Sequence, residues 1–179
     1  QRQMCIRDRA YSGLMHMTGD PDGPPMLIGA GIADTSTGVH AFAALGYALY
    51  RRDRTGEGSH LDIGMVDVMY HMQETAVSGP SLSEGEVVAM RTGRHYAPAS
   101  PAGIFKGPKG WIVVFALENQ IANLWAALGS PELAEDPRFQ NNRTRLEYRD
   151  DLTEIIEQWM STFGTDEEVV EILERHRVP

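Results

Sequence analysis

At 179 residues the chain has room for one or two modest domains. Hydrophobic residues make up 42% and charged residues 23%, ordinary globular usage that excludes a collagen-like or low-complexity chain. With 16 basic residues against 25 acidic ones the net charge is −9, which argues against a general nucleic-acid binder. No apolar run approaches the roughly 18 residues of a membrane-spanning helix, so no membrane partner is expected. The single cysteine, Cys5, excludes an internal disulfide and a multi-cysteine metal cage. With no hydrophobic signal-peptide core at the start, this points to the cytoplasm.

Gln1 to Arg9 carries neither a helical nor a strand period and is assigned no element. Ala10 to Gly19 reads as a short helix or loop, and Asp20-Pro21-Asp22-Gly23-Pro24-Pro25 as a turn. Val39, Phe42, Ala43, Gly46, Leu49 and Tyr50 share one face at three- and four-residue spacing, which predicts a helix. Asp34, Thr35 or Ser36 can cap its start, while Arg51, Arg52 and Arg54 suit its negative end and Gly56 and Gly58 stop it. Ser59 to Ile63 alternates and predicts a short strand, and a second helix begins near Met65, carrying Val68, Met69 and Met72.

From Val77 to Gly93 the composition turns small and polar, predicting a linker and domain boundary. Ala102–Lys106 and Trp111–Leu117 then read as two strands joined by Gly107-Pro108-Lys109-Gly110, a hairpin. Helices are predicted over Glu118–Leu128 and Arg143–Phe163, the latter with Leu152, Ile155, Ile156, Trp159 and Phe163 as its apolar stripe. Thr165 and Glu168 form a capping box for a last helix through Glu174. Trp111, Trp125 and Trp159 read as core anchors.

One carboxylate stands out. Asp34 lies between an apolar segment and a helix start, where the helix dipole favours its ionised form and an anionic intermediate beside it. The plainer alternative is that Asp34 is an N-cap. His16, His40, His60, His71, His95 and His176 form no metal-ligand pattern, so no metal is expected. Glycines 29, 31 and 38 surround Asp34 without a Gly-x-Gly-x-x-Gly or a phosphate-loop lysine.

The order of motifs resembles the family III CoA-transferases (the CaiB/BaiF family), which also contains α-methylacyl-CoA racemases. The resemblance runs from about Ala10 to Pro179 through Ser12-Gly13-Leu14-Met15, Thr18 to Pro25 and Gly31-Ile32-Ala33-Asp34. It continues through Arg54-Thr55-Gly56-Glu57-Gly58, Leu61-Asp62-Ile63 and Leu133 to Phe139. Each motif alone is common; their order and spacing carry the resemblance. Gln1 to Arg9 lies outside it, and Met4-Cys5-Ile6-Arg7-Asp8 resembles translated sequencing-adapter sequence.

The resemblance implies an incomplete α/β fold. On this resemblance, residues 10–76 are expected to be the end of a Rossmann-like large domain, 77–95 a linker, and 96–179 a truncated small mixed α/β domain. It implies that Asp34 is the catalytic nucleophile, with acyl-CoA and a carboxylic acid as substrates, no other cofactor, and an interlocked homodimer at full length. Family members run roughly twice this length, so the 179 residues alone are expected to be a poor catalyst. Tyr96 to Gly103 lacks the glycine run of the formyl-CoA transferases. The racemases pair their aspartate with a histidine that aligns near Met4, and carry glycines where this chain has Thr35-Ser36-Thr37. That favours transferase over one alternative, an α-methylacyl-CoA racemase; the other alternative, a non-catalytic dimerisation or structural fragment, stays open.

Overall fold

A computed structural model describes residues 2–179, and the chain divides into two compact units, Gln1–Gly93 and Arg94–Pro179. The first contains α1 (Arg2–Tyr11), α2 (Ile32–Thr55), α3 (Met65–His71) and α4 (Glu74–Leu82). The second contains an antiparallel hairpin, β1 (Ala102–Lys106) and β2 (Trp111–Phe115). It continues with α5 (Ile121–Leu128), a 3-10 turn (Pro131–Ala134), α6 (Asn142–Glu147), α7 (Arg149–Met160) and α8 (Asp166–Arg175).

In the first unit the core is small. Ala33 and Met69 are buried, with Leu14, Ile32 and Met65 packed against them. Buried Gln73 ties the elements together: its Nε2 donates to the Ser12 and Met69 carbonyls at 2.9 and 3.1 Å. The expected α2 ends at Gly56, whose left-handed φ of 75° lets its N–H close on the Arg52 carbonyl. Its apolar stripe, however, is exposed: Val39, Phe42, Leu49 and Tyr50 all face outward in this unit.

Three expectations for this unit need correction. Within the segment before Ala10, Arg2 to Arg9 belong to helix α1; its low mean hydropathy hides a helix from a periodicity argument. Ser59 to Ile63 forms no strand, because a strand needs a ladder partner and none of the described residues supplies one. Helix α4 occupies the start of the predicted linker, with Pro80 inside it.

The second unit has the larger core. Phe105, Ile112 and Val114 on one face of the hairpin pack with Leu124, Trp125, Phe139, Leu152, Ile156, Met160, Val169 and Leu173. The alternation of the strands decides which residues enter: Ile112 and Val114 turn inward, Trp111 and Val113 outward. Trp111 is therefore 63% exposed and is not the core anchor expected of it, whereas Trp125 is. The helix predicted over Arg143–Phe163 is two helices, because Tyr148 leaves helical geometry at ψ 36°. Before the break Arg145 turns to backbone carbonyls; after it Leu152, Ile156 and Met160 face the core. Thr165 caps α8 through the Glu168 N–H, but Glu168 reaches back to the Gly164 N–H instead of closing a capping box.

Candidate functional site

Asp34 lies in the first turn of α2, a 24-residue helix. The capping position is Gly31, so the N-cap reading of Asp34 is overturned: it sits inside the first turn. Aligned peptide dipoles put partial positive charge there. The side chain is exposed in this unit. A methyl group on Gly31 would stand 3.6 Å from Asp34 Oδ2, so glycine keeps space open beside that oxygen.

Two further features fix the approach to Asp34. Arg9 Nη1 donates to the Ile28 and Ala30 carbonyls at 3.0 and 3.2 Å, holding the loop that feeds α2. The three hydroxyls after Asp34 turn back onto the helix. Thr35 Oγ1 donates to Gly31 O at 3.0 Å, Ser36 Oγ to Ile32 O, and Thr37 Oγ1 to Ala33 O at 2.6 Å. Thr35-Ser36-Thr37 thus satisfies the helix's own carbonyls.

His40 and His71 meet edge to face at 5.5 Å, with His40 Nδ1 on the Ser36 carbonyl at 2.8 Å. Among the described residues no group of three or more His, Cys, Asp and Glu side chains could hold a metal ion. No helix among them is long and apolar enough to cross a membrane.

The second unit gathers charges that sequence reasoning passed over. Glu157 accepts from Arg94 Nη1 and, at 2.8 Å, from the Lys106 N–H, while the Arg94 guanidinium lies 5.5 Å from the Trp111 ring centroid. Burial pushes the Glu157 carboxyl up, but these donors outweigh it and its pKa is lowered. Half-buried His95 has its pKa lowered by burial first, then by Arg149 and Arg94. The one sequence signal for this cluster was the basic-aromatic run Arg91–Tyr96, which lacks any period.

The profile of CoA-transferase family III matches residues 6–179, starting before the Ala10 expected from the motifs. A formyl-CoA:oxalate CoA-transferase of Streptomyces coelicolor is 34% identical, over 96% of this chain and 45% of its own length. A succinyl-CoA–D-citramalate CoA-transferase of Chloroflexus aurantiacus is 33% identical, over 95% of this chain and 42% of its own. Among solved structures, a CaiB/BaiF family protein from Brucella suis superimposes with a TM-score of 0.74 at 28% identity, covering 97% of this chain and 46% of that one. A Mycobacterium tuberculosis protein shares the fold with a TM-score of 0.79 at 23% identity, covering 97% and 44%. The chain spans somewhat under half the length of these relatives, and its mixed α/β structure is correspondingly an incomplete fold. It belongs to CoA-transferase family III.

Proposed function

We propose that the full-length parent of this chain transfers coenzyme A from an acyl-CoA donor to a carboxylic acid acceptor, with Asp34 as the nucleophile. The observation that carries the reading is the position of Asp34: an exposed carboxylate in the first turn of α2, within a matched family segment and not used as the helix cap.

The chemistry follows from what a carboxylate can do. Asp34 attacks the thioester carbonyl, forming a mixed anhydride and expelling CoA thiolate. The thiolate attacks the aspartyl carbonyl, giving an aspartyl-CoA thioester and releasing the donor acid as its carboxylate. An acceptor carboxylate then attacks the aspartyl thioester, forming a second anhydride and freeing the thiolate again. Attack of that thiolate on the acceptor acyl carbon yields the new acyl-CoA and restores Asp34. One negative charge is conserved throughout, and each barrier is lower than that of direct exchange. The positive end of α2 favours the anionic oxygens beside Asp34.

We further assign the parent to the cytoplasm as a homodimer, with coenzyme A entering as substrate and no other cofactor. The 179 residues alone are a poor catalyst, since more than half of a relative's length lies outside them. We read residues 10–76 as the end of the large domain and 96–179 as small-domain chain, joined by 77–95.

The test is Asp34→Asn in the full-length parent, assayed for acyl-CoA exchange with hydroxylamine added during turnover. Exchange should vanish in the variant, and the parent should accumulate a hydroxamate on the peptide containing Asp34. Normal exchange by the variant with no hydroxamate in the parent overturns the nucleophile. Solvent exchange of the α-hydrogen without an adduct assigns the racemase instead.

A further inference from the structure

Nothing in the described residues requires glycine at position 31. Its φ of −75° and ψ of 48° lie near the inverse γ-turn, a conformation open to any L-residue. A Cβ built there would clash with nothing. Chain neighbours aside, the one atom of the described residues within 4 Å of it is Asp34 Oδ2, at 3.6 Å. Nor is glycine the best start for the helix, since position 31 is the N-cap, where serine, aspartate and asparagine rank above it.

The position is nonetheless held against Asp34. The Gly31 carbonyl accepts from both the Thr35 N–H and the Thr35 hydroxyl, each at 3.0 Å. Gly31 and Asp34 therefore share one turn of one helix, and that turn sets their separation. The other two glycines around Asp34 are out of reach: a Cβ on Gly29 or Gly38 would meet nothing within 4 Å.

The free carboxylate leaves room for a side chain at position 31, but the acylated one does not. A carbon 3.6 Å from Oδ2 is in ordinary van der Waals contact. When Oδ2 attacks a thioester, an O–C bond forms and the C–S bond breaks, its electron pair leaving with sulfur as CoA thiolate. The acyl carbon then lies one covalent bond from Oδ2, and its carbonyl oxygen and α-carbon lie two. On the Gly31 side these atoms would come closer to a Cβ than the roughly 3.5 Å that two carbons tolerate. Glycine removes that obstruction.

We propose that Gly31 is a specificity-determining residue, which makes Oδ2 the acylated oxygen of Asp34 and admits acyl groups with bulk beside the reacting carbonyl. The proposal rests on Asp34 as the nucleophile and adds to that reading the steric class of acyl group the site takes.

Acylation of the full-length parent under single-turnover conditions tests it, with acetyl-CoA and isobutyryl-CoA as the probes. Hydroxylamine traps the acylated enzyme, and mass spectrometry follows the hydroxamate on the peptide containing Asp34. The isobutyryl-to-acetyl ratio of rates is taken within one preparation, so an inactive fraction cancels. Gly31→Ala should lower that ratio about tenfold or more, and Gly31→Val should lower it further. An unchanged ratio overturns the inference, and so does a Gly31→Ala protein that does not fold, because the geometry has room for the methyl group. In the parent, hydroxamate from acetyl-CoA without any from isobutyryl-CoA overturns the inference and leaves Asp34 as the nucleophile. Hydroxamate from neither thioester overturns both.

Discussion

Arg145 and Ser100, 45 residues apart in the chain, are joined by a 2.7 Å hydrogen bond from the arginine Nε to the serine carbonyl. The same guanidinium donates to the Phe139 carbonyl at 2.9 Å and to Glu118 Oε2, and its side chain is 1% exposed. A single buried cation thus pins the loop before β1, the segment before α6 and the end of the β2–α5 connection. Glu118 remains 61% exposed, so the two carbonyls, and not the ion pair, are what depend on Arg145.

Arg145→Met should therefore leave two buried carbonyls without donors. At about 1–3 kcal/mol each, the loss for the second unit is about 3 kcal/mol. All three tryptophans lie in that unit, so urea unfolding followed by tryptophan fluorescence reads it directly. Arg145→Lys should recover part of the loss, since an ammonium cannot fork to both carbonyls. Glu118→Gln should cost less than about 1 kcal/mol, as an exposed partner does. An Arg145→Met midpoint equal to the parent's refutes the assignment.

A second contrast separates clash from backbone strain. A Cβ on Gly103 would stand 2.5 Å from the Arg94 carbonyl oxygen and 2.9 Å from His95 Cα, both backbone atoms that cannot swing aside. At Gly129, the left-handed end of α5 at φ 69°, a Cβ would meet nothing within 4 Å. Gly129→Ala should cost about 1 kcal/mol from φ alone. Gly103→Ala should cost more, about 2–3 kcal/mol, because the Arg94–Tyr96 backbone over β1 must move. The same unfolding curves rank the pair, and the reverse order contradicts the geometry.

What the sequence made legible follows from locality. The hairpin, α5, α8 and the Gly56 stop of α2 depend on short-range patterns: period-two alternation, a Gly-Pro-x-Gly turn, a Thr at a cap. Asp34 stood out in the sequence as a carboxylate at a helix start, but its place in the turn was not legible, because Gly31 competed with it for the cap and glycine carries no capping side chain. Burial of Arg145 was invisible, since its partners are carbonyls from distant segments that no residue type announces. Trp111 misled because its neighbours are apolar on both strand faces, so Trp-Ile-Val-Val-Phe does not reveal which set turns inward. The Ser59–Ile63 alternation was real, but a strand is defined by a partner and not by a pattern.

The last prediction concerns acid. His95 in the folded chain has its pKa lowered, chiefly by burial, with Arg149 and Arg94 opposing a further cation. The unfolded chain, with an ordinary value of about 6.5, takes up that proton first. Stability is therefore full above about pH 6.5 and is lost as pH falls from there through the folded value. Glu157 and Asp136 are carboxylates with lowered folded pKa values. In Glu157 the Lys106 N–H and Arg94 overcome burial; in Asp136 the Arg138 side chain is the main cause, helped by its backbone N–H. Their contribution is present above the unfolded values near 4 and is lost as pH falls through the folded ones. The thermal midpoint read by tryptophan fluorescence should accordingly fall in two stages, the first beginning near pH 6.5 and the second below about pH 4. His95→Gln should flatten the first stage and leave the second. Glu157→Gln should lower the midpoint at pH 7 and shrink the second stage. A first stage that persists unchanged in His95→Gln would remove His95 from the account, because the remaining histidines are the same in both proteins.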